Sequence, residues 1–192
     1  MSTLLAQVDD VDGKVSLEEF ENMFWLFAVA GNETLRNGIP GGMIALLQNP
    51  QAWHAMQADP TLVPGAVEEM LRWWTPVMNF RRTATQDTEL AGAKIKAGDK
   101  VVVSFLSANY DEQIFQQPGE FDIRREPNPH LSFGYGPHFC LGAQLAVAQM
   151  RAIFLELTRR FASVEAIAPP RYLRSNFQRG VKSLPIRWRV KA

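Results

Sequence analysis

The sequence predicts a mainly α protein with a small β annex. Apolar residues recur at helical spacing through most of the first 75 residues. Between residues 81 and 105 the pattern changes to short runs rich in threonine and valine, separated by glycine turns, which is typical of strands. A further helical pattern follows a glycine-rich loop near residue 140, and an alternating segment ends the chain. This order of elements favours helices packed beside a small sheet.

Composition argues against several classes of function. The 192 residues include 20 basic and 20 acidic side chains, so a nucleic acid meets no strong attraction. The longest apolar stretch, at residues 23–31, is too short to cross a bilayer. The N-terminus carries Asp9 and Asp10 and does not resemble a secretion signal. We therefore expect a cytoplasmic protein with no membrane span and no nucleic-acid partner.

The first expected helix is long and apolar. Ser16 and Glu19 have the spacing of a capping box, which starts a helix. Pro40 lies within the apolar run, and a proline inside a helix removes a backbone donor and clashes with the preceding turn. We therefore expect a kink or a break near Ile39.

Three more elements can be placed from local signals. A second helix is expected to start at Pro50, and a third near Pro64. The inward-facing residues of the third helix are predicted to be Val67, Met70, Leu71 and Trp74. Residues 116–129 are expected to be coil. The apolar stripe predicted for the last helix consists of Leu141, Leu145, Ala148, Ala152 and Leu155.

Residues 133–142, Phe-Gly-Tyr-Gly-Pro-His-Phe-Cys-Leu-Gly, carry the most information about function. Their glycines and proline predict a tight loop that leads into a helix, with Cys140 at the helix start. Unpaired amides and the positive end of the helix dipole favour a thiolate at such a place. Cys140 is the only cysteine of the chain, and a lone cysteine is more often a small buried apolar residue.

This loop resembles the haem-binding loop of the cytochrome P450 family, Phe-x-x-Gly-x-x-x-Cys-x-Gly. Phe133, Gly136, Cys140 and Gly142 fill its fixed positions, and His138 is typical of bacterial members. The resemblance implies a haem b (iron protoporphyrin IX) with the Cys140 thiolate as axial ligand of the iron. A thiolate ligand pushes electron density onto haem iron and favours cleavage of the O–O bond. Phe133 would shield the sulfur from water.

Glu69 and Arg72 match a second family motif, Glu-x-x-Arg. Residues three apart lie on the same side of a helix, and most such pairs are exposed and contribute little. In the family this pair joins an arginine from the coil before the cysteine loop. The matching position here is Arg125, with Arg124 as the nearby alternative.

A third motif lies within the long helix, where residues 30–34 read Ala-Gly-Asn-Glu-Thr. They resemble the oxygen-activating segment of the family. The resemblance implies that Ala30 and Gly31 let the helix pass over the haem, that Thr34 orients water or oxygen, and that Glu33 supplies protons. The alternative is a glycine kink with a glutamate facing solvent.

Arg82 and His130 occupy positions where the family keeps cationic partners of the haem carboxylates. Charge-assisted bonds from such groups would fix the haem in its plane. The alternatives are an exposed strand arginine and a turn histidine. The full set of haem-contacting residues implied by the resemblance is Ala30, Gly31, Arg82, His130, Phe133, Gly134, His138, Gly142 and Ala146.

The resemblance covers nearly the whole chain but only about half of the usual length of the family. We therefore expect residues 1–192 to form one truncated haem-thiolate domain, the C-terminal part of the cytochrome P450 fold. It would run from the end of the segment before the long helix to the C-terminus. The helices that normally precede this part would be absent, which would leave apolar surface of the long helix unburied.

Two functions follow from the resemblance. The first is a monooxygenase that inserts one atom of O2 into a C–H bond of a hydrophobic substrate such as a sterol, branched lipid, alkane or terpenoid. A ferredoxin and its NAD(P)H-dependent reductase would supply electrons. The second is a non-catalytic or split-gene fragment that binds haem weakly or not at all. A plain structural protein is a third reading, against which the intact Cys140 loop argues.

Overall fold

A computed structural model describes residues 15–191 of the chain. Residues 1–14 lie outside this part, and with them the acidic segment that motivated the expected location and the stretch expected before the long helix. The chain divides into two units, one ending at Arg36 and the other beginning at Asn37. The expectation of one domain over residues 1–192 stays a prediction.

Helices dominate, and the strands are short. The helices are α1 (Leu17–Gln48), α2 (Pro50–Ala58), α3 (Val63–Trp74), α4 (Phe105–Ala108) and α5 (Ala143–Arg160), with single 3-10 turns at Pro60–Leu62 and Gly136–His138. The strands are β1 (Asn79–Thr83), β2 (Thr88–Leu90), β3 (Ala93–Ile95), β4 (Lys100–Ser104), β5 (Phe161–Ala166), β6 (Arg171–Tyr172), β7 (Val181–Ser183) and β8 (Ile186–Val190). The predicted fold class, mainly α with a small β annex, is confirmed.

Helix α1 begins as predicted and then continues further than predicted. The Ser16 N–H donates to Glu19 Oε2 at 2.9 Å, and the Glu19 N–H donates to Ser16 Oγ at 3.2 Å, which is a reciprocal capping box. The predicted break near Ile39 is wrong, because the helix passes through Pro40 and ends at Gln48, while the alternative of a kink there stays a prediction. Packing outweighs the lost hydrogen bond here: a Cβ added to Gly41 would lie 2.1 Å from the Trp74 ring, so α1 and α3 are in close contact.

The strands form antiparallel pairs, β1 with β4, β2 with β3, β5 with β8 and β6 with β7. The predicted turns lie where expected, with Ala91, Gly92 and Gly98 at φ values of 48°, 82° and 89°. The expected final strand is β8. Its partner β5, which follows α5 directly, and the pair β6–β7 were not predicted.

The core of the second unit forms where α3 packs against α5. All four predicted inward residues of α3 are buried. The apolar stripe predicted for α5 is not the buried face of this helix, since Leu141 is 83% exposed and Leu145 is 64% exposed. The buried residues of α5 are instead Ala143, Met150, Phe154 and Thr158. Helix α5 has apolar residues on two faces. The spacing of apolar residues in the sequence identified the exposed face, and the other face packs against α3.

The N-terminal half of α1 exposes large apolar side chains, as expected. They are Leu17, Phe24, Trp25, Leu26, Phe27 and Val29. Among residues 15–191, no helix combines the length and hydropathy needed to cross a membrane.

Candidate cofactor site around Cys140

Backbone hydrogen bonds hold the cysteine loop in a tight conformation. The Cys140 N–H donates to Phe133 O, and the Phe139 N–H donates to Gly136 O, both at 2.9 Å. Gly134 and Gly136 have φ values of 74° and 70°, which side-chain-bearing residues rarely adopt. The loop therefore depends on glycine at these two positions, and it leaves the Cys140 side chain exposed.

Cys140 lies just before helix α5 and not in its first turn. The helix begins at Ala143, with Gly142 as its N-cap. The Ala143 N–H donates to Cys140 O at 3.3 Å, and the Ala146 N–H donates to Gly142 O at 2.9 Å. The sequence predicted that Cys140 lies at the start of the helix. In the structure Gly142 is the N-cap residue, and Cys140 precedes it.

The surroundings of the Cys140 thiol are apolar and accessible. Tyr135, Phe139 and Leu141 in the same loop are all exposed, and the half-buried Phe133 ring lies 6.3 Å from the Phe139 ring. Within residues 15–191, no group of three or more His, Cys, Asp or Glu side chains is placed to hold a metal ion. A metal bound to the single thiolate of Cys140 would therefore need its other ligands from a cofactor. One thiolate beside exposed apolar side chains fits a flat apolar macrocycle such as haem.

The Glu69–Arg72 pair is fully buried, unlike most pairs of this spacing. Arg72 Nε and Nη2 each donate to one carboxylate oxygen of Glu69 at 2.7 Å. Arg125 Nε lies 3.2 Å from Glu69 Oε2, so Arg125 is the third partner. The alternative, Arg124, donates its backbone N–H to Asp122 Oδ1. The pair and Arg125 therefore fix the coil that precedes the cysteine loop.

Asn109, which the sequence did not single out, connects α3 to the approach to the loop. Its Nδ2 donates to Thr75 Oγ1 at 2.8 Å and Ser132 Oγ at 2.9 Å, while its Oδ1 accepts the Leu131 N–H at 2.7 Å. Ser132 Oγ in turn donates to Leu71 O at 2.7 Å. A buried amide needs several partners, and both polar atoms of the Asn109 side chain have at least one here.

Tyr110 contacts the end of α3. Its hydroxyl donates to Trp73 O at 2.8 Å, and Arg179 Nη1 donates to the same oxygen at 3.0 Å. The Arg72 guanidinium lies 5.3 Å from the Tyr110 ring centroid. Burial raises the pKa of the Tyr110 phenol, so the hydroxyl stays protonated and remains a donor.

The two expected partners of haem carboxylates differ in their surroundings. Arg82, on β1, is exposed and donates to Arg81 O at 3.2 Å. The His130 side chain is only 5% exposed, and its Nε2 lies 3.2 Å from Glu68 Oε2. Its Nδ1 accepts the Ser132 N–H at 3.3 Å. His130 is thus already engaged, and the roles of both residues toward a cofactor stay predictions.

Residues 30–34, which the resemblance assigns to oxygen activation, belong to the first unit. Thr34 Oγ1 donates to Ala30 O at 2.7 Å, so the hydroxyl joins the hydrogen bonds of the helix. Glu33 pairs with Arg36 at 3.1 Å on the exposed surface. A Cβ added to Gly31 would meet nothing within 4 Å. The implied roles in oxygen activation stay predictions.

Comparison with known proteins agrees with these features. The family model described as cytochrome P450 matches residues 1–171. The chain belongs to the cytochrome P450 family. A methyl-branched lipid omega-hydroxylase of Mycobacterium bovis is 48% identical over 182 residues, covering 93% of this chain and 42% of the relative. A steroid C26-monooxygenase of Mycobacterium tuberculosis is 42% identical over 181 residues, covering 92% of this chain and 49% of the relative.

Solved cytochrome P450 structures show the same fold. Substrate-free CYP109E1 from Bacillus megaterium matches with a TM-score of 0.93 and 35% sequence identity, covering 99% of this chain and 50% of that one. This P450 chain therefore spans about half the length of the relatives that it matches. Its fold is part of the cytochrome P450 fold.

Proposed function

We propose that this chain binds haem through the Cys140 thiolate and is the haem-binding part of a monooxygenase. The enzyme would insert one atom of O2 into a C–H bond of a hydrophobic substrate and reduce the other atom to water. The observation that carries the proposal is the exposed thiol on a loop held by the Phe133–Cys140 hydrogen bond and by two glycines of positive φ.

The residues around Cys140 would position the sulfur. Haem bound there would supply oxygen activation, which a thiolate ligand favours. The Glu69–Arg72–Arg125 cluster holds the preceding coil, so that the loop is fixed from its N-terminal side. Phe133 would keep water from the sulfur, and the exposed Leu141 and Leu145 offer apolar contact area. Arg82 would be the cationic partner of a haem carboxylate.

Thr34 and Glu33 would handle protons on the oxygen side. The Thr34 hydroxyl already donates to Ala30 O, which leaves its lone pairs available to a water molecule. Glu33 would exchange its exposed contact with Arg36 for a proton-carrying role. In a full-length enzyme containing this segment, Thr34→Ala should uncouple reductant consumption from product formation. Unchanged coupling would remove Thr34 from the mechanism.

Substrates and electron donors are inferred from the family. The names of the two relatives, one acting on a methyl-branched lipid and one on a steroid, favour a sterol or a branched lipid as substrate. Alkanes and terpenoids belong to the same hydrophobic class. A ferredoxin and an NAD(P)H-dependent reductase are the proposed electron donors.

A second candidate is a chain that binds haem weakly, or not at all, and does not turn over by itself. The large exposed apolar surfaces on α1 and α5 favour it, because a site open to water protects activated oxygen poorly. This candidate predicts no product even when all electron donors are supplied.

Haem titration separates the two candidates. The 192-residue chain is mixed with haem, reduced and exposed to carbon monoxide, and the Soret band is recorded. The proposal predicts saturable binding and the red-shifted band of a thiolate-ligated haem, lost in Cys140→Ser. An absence of haem uptake by the folded chain would contradict the proposed function.

A further inference from the structure

Two consecutive glutamates of α3 contact different parts of the chain. The buried Glu69 binds Arg72 and Arg125, as described above. The Glu68 side chain is 32% exposed, and each of its carboxylate oxygens has its own partner. Oε2 lies 3.2 Å from His130 Nε2, and Oε1 accepts from Arg151 Nη2 at 2.9 Å.

The two partners of Glu68 lie on opposite sides of the cysteine loop in the chain. His130 precedes Cys140 by ten residues, and Arg151 follows it by eleven, on α5. One carboxylate on α3 therefore joins the segment that enters the loop to the helix that leaves it. These contacts join residues that are 62 and 83 positions apart in the sequence, so they do not result from neighbouring positions on one helix.

The hydrogen bonds of the His130 ring fix its orientation. Because the Ser132 N–H donates to Nδ1, the neutral ring carries its proton on Nε2 and donates it to Glu68. The ring lies 5.9 Å from the Phe133 ring, at the first residue of the loop. Glu68 thus orients a buried side chain that packs beside the loop.

The charge state of Glu68 agrees with this arrangement. The hydrogen bond from His130 is the largest of the influences that lower the pKa of this carboxyl, and the charge of Arg151 acts in the same direction. An anionic Glu68 accepts from both partners at once, which a neutral amide of the same shape does less well.

We propose that Glu68 is a positioning residue that holds both flanks of the Cys140 loop. The Glu69 cluster fixes the coil further upstream, whereas Glu68 fixes the last segment before the loop and the helix after it. The consequence for an iron ligand rests on the proposed function. The contact itself is a property of the haem-free chain and can be tested without haem.

Residue-level amide hydrogen exchange in the haem-free 192-residue chain tests the proposal. The amides of Gly134, Phe139 and Cys140 are the probes. Phe139 and Cys140 donate hydrogen bonds within the loop, and Gly134 donates to Leu131 in the segment that enters it. Glu68→Gln should accelerate their exchange by about fivefold, while buried amides of α3 change by less than about twofold. A general loss of stability would accelerate both sets equally.

Two further variants keep the outcome decisive. Arg151→Gln changes a half-exposed residue and should accelerate the loop amides in the same direction, even if Glu68→Gln does not fold. Glu165→Gln removes a carboxylate from the exposed pair with Arg187 and should leave the loop unchanged. Two results in the folded variants would overturn the proposal: exchange rates of the loop amides that do not change, or that rise by the same factor as those of the α3 amides. Haem binding bears only on the proposed function.

Discussion

Arg72 and Glu69 are joined by two hydrogen bonds of 2.7 Å although both side chains are fully buried. The remaining N–H groups of Arg72 donate to the carbonyl oxygens of Asn109, Pro118 and Glu120 at 2.8, 3.0 and 3.1 Å. All five donors of the guanidinium therefore have acceptors, on three separate parts of the chain. No other side chain type offers this number of donors in a plane.

Replacing Arg72 by lysine should destabilise the fold strongly. An ammonium has three donors and cannot form the bidentate contact with Glu69, so buried carbonyl oxygens that accept from Arg72 also lose a donor. Lysine keeps the charge, and leaving buried polar groups without a partner costs about 1–3 kcal/mol. Urea unfolding of Arg72→Lys measures the loss. The matched control is Arg159→Lys on the exposed pair with Glu156, whose unfolding midpoint should not move. Equal midpoints for the two variants would contradict the structural role of Arg72.

Gly136→Ala should destabilise the cysteine loop through the backbone alone. Gly136 has a φ of 70°, while a Cβ there would meet nothing within 4 Å. The left-handed conformation costs a residue with a Cβ about 1 kcal/mol. Gly119→Ala is the control, because Gly119 also has open space around it and lacks a positive φ. Thermal unfolding should show a lower midpoint for Gly136→Ala only, and equal midpoints would mean that the loop does not need this conformation.

The lowered pKa of Glu68 predicts a pH dependence of stability. A carboxyl whose folded pKa lies below its ordinary value of 4.5 stabilises the fold fully above that pH. This contribution is lost as the pH falls below 4.5 and the group becomes protonated, which weakens its contacts with His130 and Arg151. Between pH 4.5 and the acid transition, the free energy of unfolding should fall more steeply for the wild type than for Glu68→Gln. Parallel curves would show that Glu68 is not coupled to folding.

Local signals in the sequence predicted local structure well. The Ser16–Glu19 capping box and the helix start at Pro50 each depend on residues within one turn, and both were found as expected. The inward face of α3 was also predicted, because that helix has one apolar side. Arg125 was identified through the family motif and not through spacing alone, since Arg124 is equally charged and adjacent in sequence.

Contacts between distant residues explain what the sequence did not predict. Helix α5 has apolar residues on two faces, and only packing against α3 decides that the face with Met150 and Phe154 is buried. Asn109 and Glu68 form their hydrogen bonds with partners 22 or more residues away in the sequence. Neither composition nor local spacing predicts such pairs. The short pair β6–β7 likewise depends on pairing between segments that have weak strand signals of their own.

X-ray absorption at the iron edge tests the central claim most directly, because it detects the atoms bonded to the metal. The haem-loaded chain and its Cys140→Ser variant are compared under the same conditions. Ligation by Cys140 predicts one sulfur neighbour of the iron at the short distance of a thiolate in the wild type and no such neighbour in the variant, since the chain has no other cysteine. An iron with only nitrogen and oxygen neighbours in the wild-type chain would contradict the assignment of Cys140 as the haem ligand.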